Sequence, residues 1–98
     1  MAQGLILEFD GVGRDVYDAV NAKLGIDTTS PSSDWPEGLR YHAAGETGSG
    51  FVVFEVWDSQ EAQGAFMRDR LGASLHDGGA PEPARVTWID LAAATAVS

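Results

Sequence analysis

The sequence predicts an α+β fold of order βαββαβ: four antiparallel strands in one sheet, with two helices on one face. Three observations predict it. Gly50 to Leu71, GFVVFEVWDSQEAQGAFMRDRL, passes from a strand into a helix with almost no loop. The run LRYHAAG, a short polar turn and then GFVVFEVW read as a hairpin. A strand–helix pair precedes this block and a last strand follows it.

Gly4 to Asp10 is the first strand, with Leu5, Leu7 and Phe9 on one face and Ile6, Glu8 and Asp10 on the other. Gly11 and Gly13 turn the chain into a helix from Arg14 to Leu24. Tyr17, Val20 and Leu24 share its apolar face. Asp15 and Asp18 suit its positive start and Lys23 its negative end. Gly25 is a natural stop. Residues 26–38, IDTTSPSSDWPEG, form a loop long enough to suggest function or mobility. Pro36 biases Trp35 to extended geometry. Its indole is expected to fold over the core edge, with a lid as the alternative.

Leu39 to Gly45 is the second strand, alternating Leu39, Tyr41 and Ala43 with Arg40, His42 and Ala44. A turn centred near Thr47 and Gly48 sets Arg40 opposite Glu55 and His42 opposite Val53. An Arg40–Glu55 pair would contribute about a few tenths of a kcal/mol if exposed. Phe51 to Trp57 is apolar on both faces, so it reads as an interior strand. Glu55 is its only charge, and its surroundings are the first functional question.

Asp58 or Ser59 caps the second helix. With Asp58 as the cap, Glu61 completes a capping box. Ala62, Ala65 and Phe66 share one helical face. Gly64 costs about 1 kcal/mol relative to alanine, and Gly72 is expected to end the helix. LGASLHDGGAPEP reads as irregular. Ala84 to Leu91 is the fourth strand, and Ala92 to Ser98 a small-residue tail, frayed or laid on a partner.

The chain has 98 residues, one domain's worth, and no cysteine. Disulfides and Cys-type zinc sites are excluded. A domain this small buries only about two-thirds of the surface its unfolded chain exposes, so added core must come from packing or oligomerisation. The formal charge is −9, from 6 basic and 15 acidic residues. Nucleic acid and anionic membranes both need basic patches that this chain lacks. The acidity is read as solubility. The N-terminal run lacks a basic start and is too short for a signal peptide, and no segment is long enough to span a bilayer. A soluble cytoplasmic protein is expected.

The element order is the ferredoxin-like split βαβ pattern, with expected strand order 4-1-3-2. Both helices then cover one sheet face. The other is expected to carry Ile6, Glu8, Arg40, His42, Phe51, Val53, Trp57 and Trp88, too apolar to leave in water. A second copy of the chain is the simplest cover.

The runs GLRYHAAG, GFVVFEVWDSQEAQGAFMRDRLGASL and APEPARVTWIDL, which span nearly the whole chain, resemble the dimeric α+β barrel superfamily. Within it the similarity is to the antibiotic-biosynthesis-monooxygenase-like set, and closest to its small bacterial members. Trp57–Asp58–Ser59 between strand and helix, and PEP before the last strand, are the most specific marks. The resemblance implies a homodimer with facing sheets and a cavity between sheet and helices or within the barrel. The superfamily includes cofactor-independent oxygenases, heme-degrading, decarboxylating and isomerising enzymes, and members without assigned activity. Fold alone does not choose among these. Similar proteins often carry a His-Asn pair after the last strand. Here that stretch is Ile89, Asp90, Leu91 and Ala92, so that His role does not carry over. The Asn, Trp and His set of the heme-degrading members has no matching arrangement.

His42 is the better candidate base of the two histidines, with an ordinary pKa of about 6.5. Glu8 and Glu55 are its candidate acidic partners. Glu8, Val53 and His42 are expected to cross one sheet face, the outer two roughly 10 Å apart, flanking a small ligand. Trp57 and Trp88 would wall the ligand, with Arg40, Phe51 and Val53 beside them. The plainer reading makes Glu8, Arg40, His42 and Glu55 rim or interface groups. His76 reads as an exposed loop residue, and no paired spacing supports a metal. GVG at 11–13 lacks the third glycine of a phosphate loop and reads as a turn. No cofactor is expected. The expected partners are a second copy and a small organic ligand. Three functions stand: a ligand-binding homodimer, a cofactor-free monooxygenase or isomerase-like enzyme using His42, and a structural dimer module.

Overall fold

A computed structural model describes residues 2–97. Its elements are β1 (Gln3–Asp10), α1 (Arg14–Leu24), β2 (Leu39–Glu46), β3 (Gly50–Trp57), α2 (Gln60–Phe66), a π-helical turn (Met67–Leu71), α3 (Gly72–Asp77) and β4 (Arg85–Asp90). The strand order is β2-β3-β1-β4, antiparallel throughout. This is the predicted order read from the other edge. The ferredoxin-like α+β fold is therefore as the periodicities imply.

The β1 pairings settle which residues share a face. Leu5 lies opposite Glu55, Leu7 opposite Val53 and Phe9 opposite Phe51. These residues and Trp57 turn to the helices and, with Phe66, hold the core. Trp57 is fully buried and Leu5 nearly so. The other face carries Ile6, Glu8, Tyr41, Val52, Phe54, Val56 and Ile89.

Two sequence expectations are corrected here. His42, not Arg40, lies opposite Glu55, and Ala44 lies opposite Val53. The cause is the turn. Thr47 N–H donates to the Gly50 carbonyl (2.8 Å) and Gly50 N–H to Thr47 Oγ1 (3.0 Å), which moves the turn centre past the expected Thr47–Gly48. A bulge between Leu39 and Tyr41 then throws Arg40 out to solvent, where it pairs with Asp58. The expected open face also mixed the two sides. Ile6 and Glu8 do lie on it, but His42, Phe51, Val53, Trp57 and Trp88 face the helices. Strand alternation orders residues within a strand; only pairing relates one strand to the next.

Ser59, not Asp58, caps α2: its hydroxyl accepts from Ala62 N–H at 3.1 Å. Gly72 does not end the helix. Its φ and ψ are −56° and −48°, and its N–H reaches back to the Met67 carbonyl, closing a π turn. Leu71 and Leu75 continue the apolar face, so burial favours carrying the helix to Asp77. Gly79, at φ 78°, follows as the left-handed stop. The first half of the stretch expected to be irregular is thus helical. Residues 92–97 form no helix or strand, and Ser98, the end of the expected tail, lies outside the described residues.

Candidate functional site

A partly enclosed cavity of about 100 Å³ lies between the helix face of the sheet and the helices. Leu7, Phe9, Phe51 and Val53 form its floor, and α1 contributes Val16, Tyr17, Val20 and Leu24. Met67 and Leu71, on the π turn, form the opposite wall. A π turn widens the helix by one residue and often lies at functional positions. Apolar cavities of about 150 Å³ admit benzene. This one is smaller, but Met67 is an adaptable wall.

One end of the cavity is polar. Trp57 Nε1–H donates to Glu55 Oε1 at 3.0 Å. Glu55 Oε2 lies 2.8 Å from His42 Nδ1. His42 Nε2 lies 2.6 Å from the Tyr17 hydroxyl. The indole can only donate, and an ionised carboxylate can only accept. Nδ1 therefore carries a hydrogen toward Glu55, and Nε2 meets the Tyr17 hydroxyl, accepting from it when the imidazole is neutral. The carboxylate sets the tautomer, as carboxylates commonly do for functional histidines. The Glu55 and His42 side chains are only 10% and 13% exposed, so bulk water contributes little to satisfying them. Burial pushes the Tyr17 phenol above its ordinary pKa of 10.0, with the Glu55 and Asp18 charges adding to the effect and hydrogen bonding from Thr28 and Asn21 opposing it.

Trp35 closes this end. Its ring centroid is 5.1 Å from that of His42, and its indole N–H donates to the Ser30 carbonyl at 2.8 Å. Trp35, Leu39 and His42 line both the cavity and an outer cleft that also includes Thr28, Ser30 and Arg40. Arg70 ties down the same loop, donating to the Asp34 carbonyl and carboxylate and to the Leu24 carbonyl. The indole thus covers the core edge as expected, against the histidine.

Of the sequence candidates, His42, Glu55, Phe51 and Val53 meet at this cavity. Trp57 stands behind Glu55 and holds it, but does not line the cavity. Trp88 packs against the core from β4, also away from it. Arg40 belongs to the outer cleft. Glu8 is corrected: it lies on the opposite sheet face, where Arg85 Nε donates to Glu8 Oε2 at 2.8 Å. That guanidinium holds the Glu8 carboxyl below its ordinary pKa of 4.5. Tyr17 was legible only as a core residue of α1. Its signal was a lone phenol hydroxyl on an otherwise apolar helical face. His76 is exposed at the end of α3. Among the described residues, no three His, Asp or Glu side chains are placed to share a metal ion. No described helix is long and apolar enough to cross a membrane.

No family model and no curated protein matches the sequence. Solved structures do. A candidate antibiotic biosynthesis monooxygenase from Chloroflexus aurantiacus superposes with a TM-score of 0.66 over 100% of both chains, at 15% identity. A protein of unknown function from Nitrosomonas europaea superposes with a TM-score of 0.63 at 19% identity, over 99% of this chain and 93% of its own. The chain shares its α+β fold with both of these structures. At such identities the likeness speaks of fold alone, and the site must supply the function.

Proposed function

We propose that the chain binds a small, mostly apolar organic molecule in the cavity between its sheet and helices, and does so as a homodimer. The observation that carries the binding reading is the cavity itself: apolar walls with one polar end, where Tyr17, His42 and Glu55 form a continuous chain. Ligand sites commonly combine an apolar lining with a few placed polar groups. The dimer reading rests on the uncovered sheet face. Ile6, Val52 and Phe54 lie there beside Tyr41 and Ile89, which are 57% and 37% exposed. Such an apolar patch, edged by the Glu8–Arg85 ion pair, suits a second copy.

Native mass spectrometry of the purified protein tests both. A dimer carrying an extra small mass is the expected result. A monomer removes the homodimer reading. A dimer with no added mass, and with no benzene binding by calorimetry, removes the ligand reading.

A second reading is favoured by one feature, the Glu55-oriented His42. In it His42 is the general base of a cofactor-free monooxygenase or isomerase-like reaction, and Glu55 holds its tautomer. His42→Ala should then abolish turnover of an identified substrate and leave the dimer intact. Unchanged turnover removes His42 from the mechanism.

A further inference from the structure

Three connections line the cavity besides the strands and helices. The β1–α1 turn gives Val12, the 26–38 loop gives Ile26, Trp35 and Pro36, and the segment before β4 gives Ala80 and Pro83. Two of them are bonded to the body of the fold through their backbones. Gly11 N–H donates to the Ser49 carbonyl at 2.9 Å, Ala80 N–H to the Leu75 carbonyl at 2.9 Å and Ala84 N–H to the Glu8 carbonyl at 2.6 Å. The 26–38 loop is built differently. Ile26 and Pro36 are buried and anchor it, but the residues between them bond mostly to one another. Trp35 Nε1–H donates to the Ser30 carbonyl and Trp35 N–H to the Ser33 carbonyl, both at 2.8 Å, and Asp27 N–H donates to Ser33 Oγ at 2.8 Å. The indole therefore moves with its own hydrogen-bond partner. We propose that residues 27–35 are a lid on the cavity, with Trp35 as its gate and Arg70 as its latch.

The place of the gate follows from the partition between the two hollows. Trp35, Leu39 and His42 line both the inner cavity and the outer cleft, which measures about 350 Å³. Leu39 and His42 belong to β2 and are fixed by pairing opposite Trp57 and Glu55. Trp35 is the member of the partition carried on a loop, so a passage between cleft and cavity opens there. Arg70 holds the loop in place. It donates to the Asp34 carbonyl and carboxylate, each at 3.2 Å, and to the Leu24 carbonyl at 3.0 Å. Its guanidinium lies 5.6 Å over the Phe66 ring, and its π turn also carries Met67 and Leu71. Latch and cavity wall thus share one turn. Thr28 adds a second tie, to the Tyr17 phenol. An exposed ion pair and a few hydrogen bonds resist opening less than the packed core resists unfolding. Lids of this kind admit a molecule and then exclude water from it. What the lid governs is access, whichever molecule enters.

The test needs no ligand. The chain has no cysteine, so one introduced thiol reports alone. Val53→Cys puts it on the cavity floor with little change in volume. Its alkylation by iodoacetamide is timed in buffer and in low urea, and global stability is read from urea unfolding of the same protein. Alkylation should be at least about 100-fold slower than in the unfolded chain, and far less sensitive to urea than global unfolding, as local opening requires. Asp34→Ala, added to Val53→Cys, cuts only the lid side of the latch and should speed alkylation about threefold. Arg70→Met keeps an unbranched stem beside Phe66, removes all three latch bonds and should speed it about tenfold. Three results overturn the lid: alkylation as fast as in the unfolded chain, alkylation as sensitive to urea as global unfolding, or rates that neither variant changes. A speed-up that only matches each variant's loss of global stability overturns the latch. Asp34 is exposed, so Asp34→Ala carries the test even if Arg70→Met fails to fold.

Discussion

Glu55 shows what a buried carboxylate requires. Its two oxygens take one indole N–H and one imidazole N–H, so the charge is met on both sides. Glu55→Ala would leave Trp57 Nε1–H and His42 Nδ1–H without acceptors in a dry region. The expected cost is about 2–4 kcal/mol, read from urea unfolding. Glu55→Gln should cost less, because its amide oxygen still accepts from Trp57. Tyr17 supplies a pH signature. Its pKa is raised by burial in the folded state, so the unfolded chain loses this proton at lower pH. Its stabilising contribution is full below about pH 10 and is lost as pH rises through the folded value. Melting temperatures should therefore fall more steeply above that pH in the wild type than in Tyr17→Phe. The Glu8–Arg85 pair has the opposite sign: its contribution is present above the ordinary carboxyl pKa and fades as pH falls through the depressed value.

At the scale of elements, the β2–β3 hairpin decides the site. The bonded Thr47–Gly50 turn brings His42 opposite Glu55, and the bulge at Arg40 keeps Leu39 facing the core while Tyr41 faces out. Gly50 is required where the hairpin meets β1, because a Cβ there would lie 1.9 Å from the Phe9 carbonyl oxygen. Gly50→Ala should destabilise by about 2–3 kcal/mol in urea unfolding, whereas Gly48→Ala, with open space around it, should not show this overpacking penalty. The second helix shows the limit of local signals. A glycine after an apolar helical run reads as a stop, yet Gly72 is helical because Leu71 and Leu75 both gain burial over the cavity. The serine cap at Ser59 was one of two local possibilities. Asp58 was left to pair with Arg40, a partner set by the bulge.

For the whole molecule, the two sheet faces have different roles. The helix face encloses the cavity, while the other presents Ile6, Phe54, Tyr41 and Ile89 outward. If a second copy covers that face, Phe54→Asp should convert the dimer to a monomer in sedimentation velocity, with far-UV circular dichroism unchanged. Placing a charge near the centre of an apolar interface is strongly unfavourable, and the same charge is tolerated in a solvated sheet face. A Phe54→Asp protein that remained dimeric would mean that the copies meet elsewhere.

The sequence by itself determined the element order, the strand order and the apolar stripe of α1. Each follows from local periodicity, from capping and turn residues, or from the few topologies that pack such elements. It also singled out Glu55, the only charge in an apolar strand, and His42, whose ordinary pKa suits a general base. Only the tertiary structure decided that these two pair with each other, that Glu8 lies on the far side, and that Tyr17 and Trp35 join the site. Strand pairing and loop closure set those relations, and a shift of two residues in the hairpin pairing leaves every strand's own pattern unchanged. The sequence pattern records which side chains alternate; contacts across strands and helices record which of them meet.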